Sequence, residues 1–137
     1  MWFLLFYKSE YRVFKGNIMQ IKNEKLKKAI LTTFADDEML KILNFSKERL
    51  VSGTEIIKKL DISHSTAYRK IKWMLDNGLL IVEKMDFTQD GKKFSLFRST
   101  INSANIKYEG NSITVEAEKN VNVFESATKH FFSLENI

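Results

Sequence analysis

SGTEIIKKLDISHSTAYRKIKWMLDNGLLIVEKMDFTQDGKKFSLFRS, residues 52–99, decides the fold. Ser52 precedes Glu55 by three residues, the spacing of a capping box, in which each side chain satisfies an N–H that a helix start leaves without a partner. The helix opened there buries Ile56, Ile57 and Leu60. Asp61-Ile62-Ser63 predicts a tight connection. Ser63 is placed to cap a second helix that runs to about Asn77, and Gly78 supplies the residue type that ends helices. Beyond Gly78 the pattern turns extended. Residues 79–85 and 93–99 predict two strands, with the turn dipeptide Asp90-Gly91 between them. Helix, short turn, helix and hairpin is the order of a helix-turn-helix followed by a wing.

The helix over 63–77 has two distinct faces. At about 100° per residue, Ala67, Ile71, Met74 and Leu75 cluster around Ile71 and define the buried side. Ser65, Thr66, Arg69, Lys72 and Trp73 fall opposite. Hydroxyls, a guanidinium and an ammonium are the donors that reach base edges and phosphates. A helix-turn-helix lays its second helix in the major groove with its first residues toward the bases. The expected DNA contacts are therefore His64, Ser65, Thr66, Tyr68, Arg69 and Lys72, joined by Lys92 and Lys93 of the hairpin. Each has a plainer reading. Arg69 and Lys72 solvate a helix as most surface charges do. Tyr68 lies at the edge of the buried face, where packing with the hydroxyl outward serves equally. His64 is a contact or a solvated neighbour of the cap. Trp73 points outward, which suits packing under the wing or against a partner. Asp86 and Asp90 oppose the two hairpin lysines and leave that tip near neutral.

Ile62-Ser63-His64-Ser65-Thr66-Ala67-Tyr68-Arg69-Lys70-Ile71, followed by Asp76-Asn77-Gly78-Leu79-Leu80, resembles the recognition helix and exit of winged helix-turn-helix regulators of the ArsR-like type, archaeal ones especially. Residues 94–100, FSLFRST, are similar to the returning wing strand of those proteins. The resemblance covers residues 36–100, is weak over 101–137 and absent over 1–18. It implies a sequence-specific, DNA-binding transcriptional regulator, usually a dimer. In such proteins the positions matching Ser65, Thr66 and Arg69 face the major groove, and the hairpin tip lies near the adjacent backbone. Metal-sensing members use Cys or several His and carboxylates. This chain has no Cys, and its two His, His64 and His130, stand 66 residues apart, so no metal is expected.

Composition narrows the remaining classes. The chain has 137 residues, 44% of them hydrophobic and 28% charged, which is globular composition for one domain with appendages. The absence of Cys excludes a disulfide scaffold and a thiolate nucleophile. No Gly-rich phosphate loop, HExxH or nucleophile elbow is present, so neither an enzyme nor a cofactor is expected. The net charge of +5 is unevenly spread. Residues 1–35 carry +5, residues 63–98 carry +3, and residues 99–137 carry −2. A positive front and middle suits a polyanion partner, and the tail is no basic arm.

Working outward, residues 23–34 predict a helix with Leu26, Ile30, Leu31 and Phe34 on one stripe and Lys22, Lys25, Lys27 and Lys28 around the rest. Asp36, Asp37 and Glu38 start another helix, where acids suit the positive dipole end. Its apolar residues are Met39, Leu40, Ile42, Leu43 and Phe45. Residues 49–51 form a short extended stub. After the wing, residues 104–108 and 112–118 flank Gly110-Asn111, a favourable two-residue turn. Ile113, Val115 and Ala117 alternate with polar residues, so they form a buried face. Residues 121–134 predict a closing helix whose seam, Phe124, Ala127, Phe131 and Leu134, caps the domain's own sheet or forms a homodimer face. Residues 1–7, MWFLLFY, lack the basic start and length of a signal and are too short to cross a membrane. They are a short strand or anchor, or else translation starts at Met19, the reading slightly preferred.

The expected fold is α+β: a winged helix-turn-helix with an extra C-terminal β-hairpin and helix. The expected division is an N-terminal extension over 1–22, a DNA-binding domain over 23–100, and hairpin plus helix over 101–137. The expected partners are double-stranded DNA and a second copy of the chain, with no membrane, in the cytoplasm. The rival from another class is a winged-helix module that joins proteins, anchored by Trp73 and the Phe-rich tail. An RNA-binding module is a weaker third reading, because only Trp73 offers an exposed stacking surface on the helix.

Overall fold

Among the described residues there are four helices, and three of them open on a side-chain cap. The computed structural model describes residues 18–121 and Val123. Asn23 accepts from the Leu26 N–H and opens α1 (Glu24–Ala35). Asp36 accepts from the Met39 N–H and opens α2 (Asp37–Phe45). Ser52 and Glu55 complete the capping box of α3 (Gly53–Leu60). Asp61, held at φ 54°, turns the chain, and buried Ile62 anchors that turn. Asp tolerates this left-handed conformation better than most residues. Ser63 is the N-cap of α4 (His64–Asp76), but its hydroxyl makes no capping bond, which corrects the expected side-chain cap. The far end of α4 is closed as expected: Gly78 at φ 77° donates to the Leu75 carbonyl and Leu79 to that of Met74. That is the Schellman pairing, which satisfies carbonyls at the helix end.

The strands form two antiparallel sheets. In the first, β2 (Val51–Ser52) lies beside β4 (Lys93–Ser99), which pairs with β3 (Leu80–Phe87) in the order β2-β4-β3. The second contains β5 (Ile101–Glu109), β6 (Ser112–Lys119) and β1 (Ile18–Gln20), in the order β1-β6-β5. Strand β3 starts one residue later and ends two residues beyond the expected span, and β5 extends its expected span at both ends. Within the stretch 1–22, Met19 pairs with Ala117 in β1, and Ile21 is buried in the core. The first seventeen residues lie outside the described ones, and so does the expected closing helix but for Val121 and Val123. The seam Phe124, Ala127, Phe131 and Leu134 is outside them too.

One core joins all of this. Ile30, Ile42, Leu43, Ile56, Ile71 and Met74 from the helices and Leu79 from the turn after α4 meet Val51, Leu80 and Phe97 of the first sheet and Ile101, Val115 and Ala117 of the second. The expected units 23–100 and 101–137 share it. Full burial of such side chains stabilises by about 1.5–3 kcal/mol each, which makes this cluster the main favourable contribution to the fold. Among the described residues, no buried side-chain polar atom lacks a hydrogen-bond partner.

A single residue, Thr100, separates the two sheets. It is buried, its N–H donates to the Leu79 carbonyl, and its hydroxyl donates to the Gly78 carbonyl at 2.8 Å. Asn120, also buried, donates from its side-chain amide to the carbonyls of Lys47 and Ser99. These bonds fix the second sheet to the end of α4 and to the loop after α2.

Two hydrophobic expectations need correction. Ile113 alternates with the buried Val115 and Ala117 but is 37% exposed, because the β5–β6 hairpin runs out past the core. Trp73 lies on the outer side of α4 by helical angle, yet it is partly buried and packed on the core. A side chain as long as indole reaches from the flank of a helix to the core edge.

Candidate nucleic-acid interface

Helix α4 presents its expected outer face. Ala67, Ile71 and Met74 are buried against the core, with Leu75 partly so. His64, Ser65, Tyr68, Arg69 and Lys72 are exposed and Thr66 is half-buried. Arg69 makes no ion pair among the described residues, so its five donors face solvent. Lys72 lies 3.8 Å from Asp76, one turn on, with both side chains largely exposed. Such a pair is worth about 0–1 kcal/mol, too little to keep Lys72 from a phosphate.

The third basic residue of the helix is turned inward. Lys70, whose side chain is only 12% exposed, reaches Asp36 at 2.6 Å and Glu38 at 3.0 Å. It therefore ties α4 to the start of α2. Burial raises the Asp36 pKa, but the hydrogen bond from Lys70 and those from backbone N–H groups outweigh it and hold the carboxyl below its ordinary value. Burial likewise works to lower Lys70, and its bonds to Asp36 and Glu38 outweigh that and hold it above the ordinary lysine value. No local pattern marks this contact, since its partners lie more than thirty residues back in the chain.

Tyr68 has a structural task. Its ring sits 4.7 Å from the His64 ring at 50°. A Cβ placed on Gly53 would lie 2.6 Å from the Tyr68 hydroxyl oxygen. The absent side chain at the first residue of α3 is what lets the tyrosine of α4 lie against it. Tyr68 was expected as a DNA contact or a packed edge residue, and at 42% exposure it packs on one side and faces solvent on the other.

The wing is asymmetric. A β-bulge between Val82 and Lys84 contains Glu83. Bulges re-aim side chains, and the Glu83 carboxylate accepts from Arg98 Nε at 2.8 Å with side-chain exposures of 3% and 13%. At the tip, Asp86 accepts from the Phe87 N–H and Asp90 from the Thr88 hydroxyl. Both carboxylates are thus engaged by the hairpin itself. Lys92 and Lys93 are exposed and make no ion pair among the described residues.

Elsewhere, Lys27 pairs with Glu24, while Lys25 and Lys28 are exposed. No group of three or more His, Asp or Glu among the described residues is placed to hold a metal ion. No helix among them is long and apolar enough to cross a membrane.

No family model matches the sequence, and no curated protein matches it. Among solved structures the chain is similar to HlyU from Vibrio cholerae N16961, with 17% identity and a TM-score of 0.40, over 84% of this chain and 94% of that one. Similarity of that degree transfers no function, which rests on the site.

Proposed function

We propose that this chain is a sequence-specific, double-stranded-DNA-binding transcriptional regulator. In this reading α4 enters the major groove and the β3–β4 wing contacts the neighbouring backbone. The observation that carries it is the outer face of α4. Ser65, Thr66 and Arg69, which has no ion pair among the described residues, stand together on the outer face of a helix that α3 supports and a hairpin with two exposed lysines at its turn follows.

The mechanism is binding without chemistry. Arg69 donates two parallel hydrogen bonds to guanine or holds a phosphate, and the hydroxyls of Ser65 and Thr66 take base edges or phosphate oxygens. His64 adds a contact at the helix start. Lys72, Lys92 and Lys93 release counterions on binding, which makes affinity fall steeply with salt. Residues 23–100 are the DNA-reading unit, and the second hairpin with the tail is the place for a homodimer contact, which a two-fold operator requires. Such a regulator works in the cytoplasm of a prokaryote-like cell.

The second reading, a module that joins proteins, draws on one observation. Tyr108 is 77% exposed at the end of the second hairpin, opposite Ile113 and on one face with Ile106. Salt separates the two, since an apolar contact does not weaken as salt rises.

The test is anisotropy titration of labelled duplex at two salt concentrations, followed by selection of a site from a random library. Arg69→Ala is expected to lower affinity for the selected site by about 1–3 kcal/mol and to relax preference at one position. Absence of duplex binding at low salt overturns the proposal. Equal loss on selected and random DNA reduces Arg69 to a phosphate contact.

A further inference from the structure

The wing carries an apolar row that is exposed at its outer end among the described residues. Cross-strand pairing sets Val82 opposite Phe97, Met85 opposite Ser95 and Phe87 opposite Lys93, so these residues share one face. At the base Phe97 is buried in the core. Outward the row surfaces through Val82 and Met85 and ends in Phe87, 62% exposed.

The tip that holds Phe87 is tied down. The Thr88 N–H donates to the Lys92 carbonyl, the Gly91 N–H to the Thr88 carbonyl, and the Lys92 N–H to the Thr88 hydroxyl. Gly91, at φ 85°, permits the turn. Asp86 and Asp90 each accept one bond from the tip's own donors, and all four charged residues, Asp86, Asp90, Lys92 and Lys93, are exposed. The result is a large apolar ring next to a hydrogen-bonded turn, with an ammonium group directly across the strand and another beside the turn.

That combination matches the DNA minor groove. Ammonium groups suit the phosphates that rim the groove, and apolar side chains enter between base steps, partly unstack them and bend the duplex toward the major groove. We propose that Phe87 is an apolar wedge that enters the minor groove beside the major groove held by α4, with Lys92 and Lys93 on the flanking phosphates. The proposal rests on the reading of α4 as a DNA reader. It adds a second source of selectivity, because flexible pyrimidine–purine steps are unstacked most easily.

Mixed-sequence duplexes labelled at both ends report affinity by anisotropy and bending by energy transfer. Wild type is expected to bring the duplex ends together. Phe87→Ala is expected to bind about tenfold more weakly and to leave the duplex straight, with an unchanged thermal melt, because the ring is exposed. Phe87→Leu keeps an apolar wedge and retains most of the bend. Arg69→Ala weakens binding but bends what it binds. If Phe87→Ala binds and bends as wild type does while Arg69→Ala is impaired, the wedge is refuted and the α4 reading stands. If wild type binds no duplex at low salt, both fall.

Discussion

Gly53→Ala tests the contact between α3 and α4. The added Cβ would lie 2.6, 2.8 and 2.9 Å from the Oη, Cζ and Cε1 atoms of Tyr68, where ordinary contact begins at 3.4 Å. The phenol must retreat by about 0.8 Å, and the His64 ring resting on it must follow. Overpacking of this kind costs about 1–3 kcal/mol, and the lower half applies because Tyr68 is partly exposed and can swing outward. Against it, Gly→Ala at a backbone position that alanine accepts stabilises by about 0.4–1 kcal/mol, through the unfolded chain. Gly53 is such a position, since it is absent from the positive-φ residues. The expected net effect is a loss of about 1 kcal/mol in the wild-type background. In Tyr68→Ala the clash is gone, and the same substitution should stabilise by about 0.5 kcal/mol. Urea denaturation of the four proteins gives a coupling energy of about 1.5 kcal/mol. A coupling energy near zero would show that Tyr68 does not use the space left by Gly53 and would refute the reasoning.

The Lys70 contact predicts a pH signature. Asp36 has a lowered pKa when folded, so its contribution is fully present above the unfolded value of about 3.9 and disappears as pH falls through the folded value. Lys70 has a raised pKa, so its contribution is present below about 10.4 and disappears as pH rises through the folded value. Lys70→Met is expected to cost about 1–2 kcal/mol near neutral pH, between an exposed pair and a buried one, and to flatten the stability curve at both extremes. Denaturation midpoints across pH check this, and an unchanged acid limb would sink it. In the wing, Glu83→Ala leaves Arg98 mostly buried without its carboxylate and should cost about 3 kcal/mol, whereas replacing both by apolar residues of similar volume should be near neutral. A cost under about 1 kcal/mol for Glu83→Ala would show that solvent already reaches the pair.

What could be read in advance was local. The Ser52–Glu55 capping box, Asp36 as a cap, the Gly78 stop, the span of β4 and the Gly110-Asn111 turn each follow from a few neighbouring residues, and each stands in the structure. Misses came where distant contacts decide. Helical angle puts Trp73 outside, but the core lies within reach of its ring. Alternation buries Ile113, but it cannot say where the hairpin leaves the helical layer. In sequence, Lys70 is one more charge beside Arg69, and only the approach of α2 turns it from surface to strut. Pairing of Met19 with Ala117 across almost a hundred residues leaves no local mark either. The site was legible as a helix face, and its hydroxyl and guanidinium groups stand there. The roles of Tyr68 and the wing tip needed the coordinates, because both depend on which polar groups the fold has already used.

A one-residue bridge between two sheets leaves no slack. Thr100 is pinned to Gly78 and Leu79, the residues that follow α4, and Asn120 clamps the carbonyl just before that bridge. The two hairpins are therefore arms of a single crank, with its pivot at the exit of α4. A load on the far hairpin, around Tyr108, bears on the same pivot that aims the wing. The hairpin that exposes Tyr108 and the hairpin that exposes Phe87 leave from one buried residue.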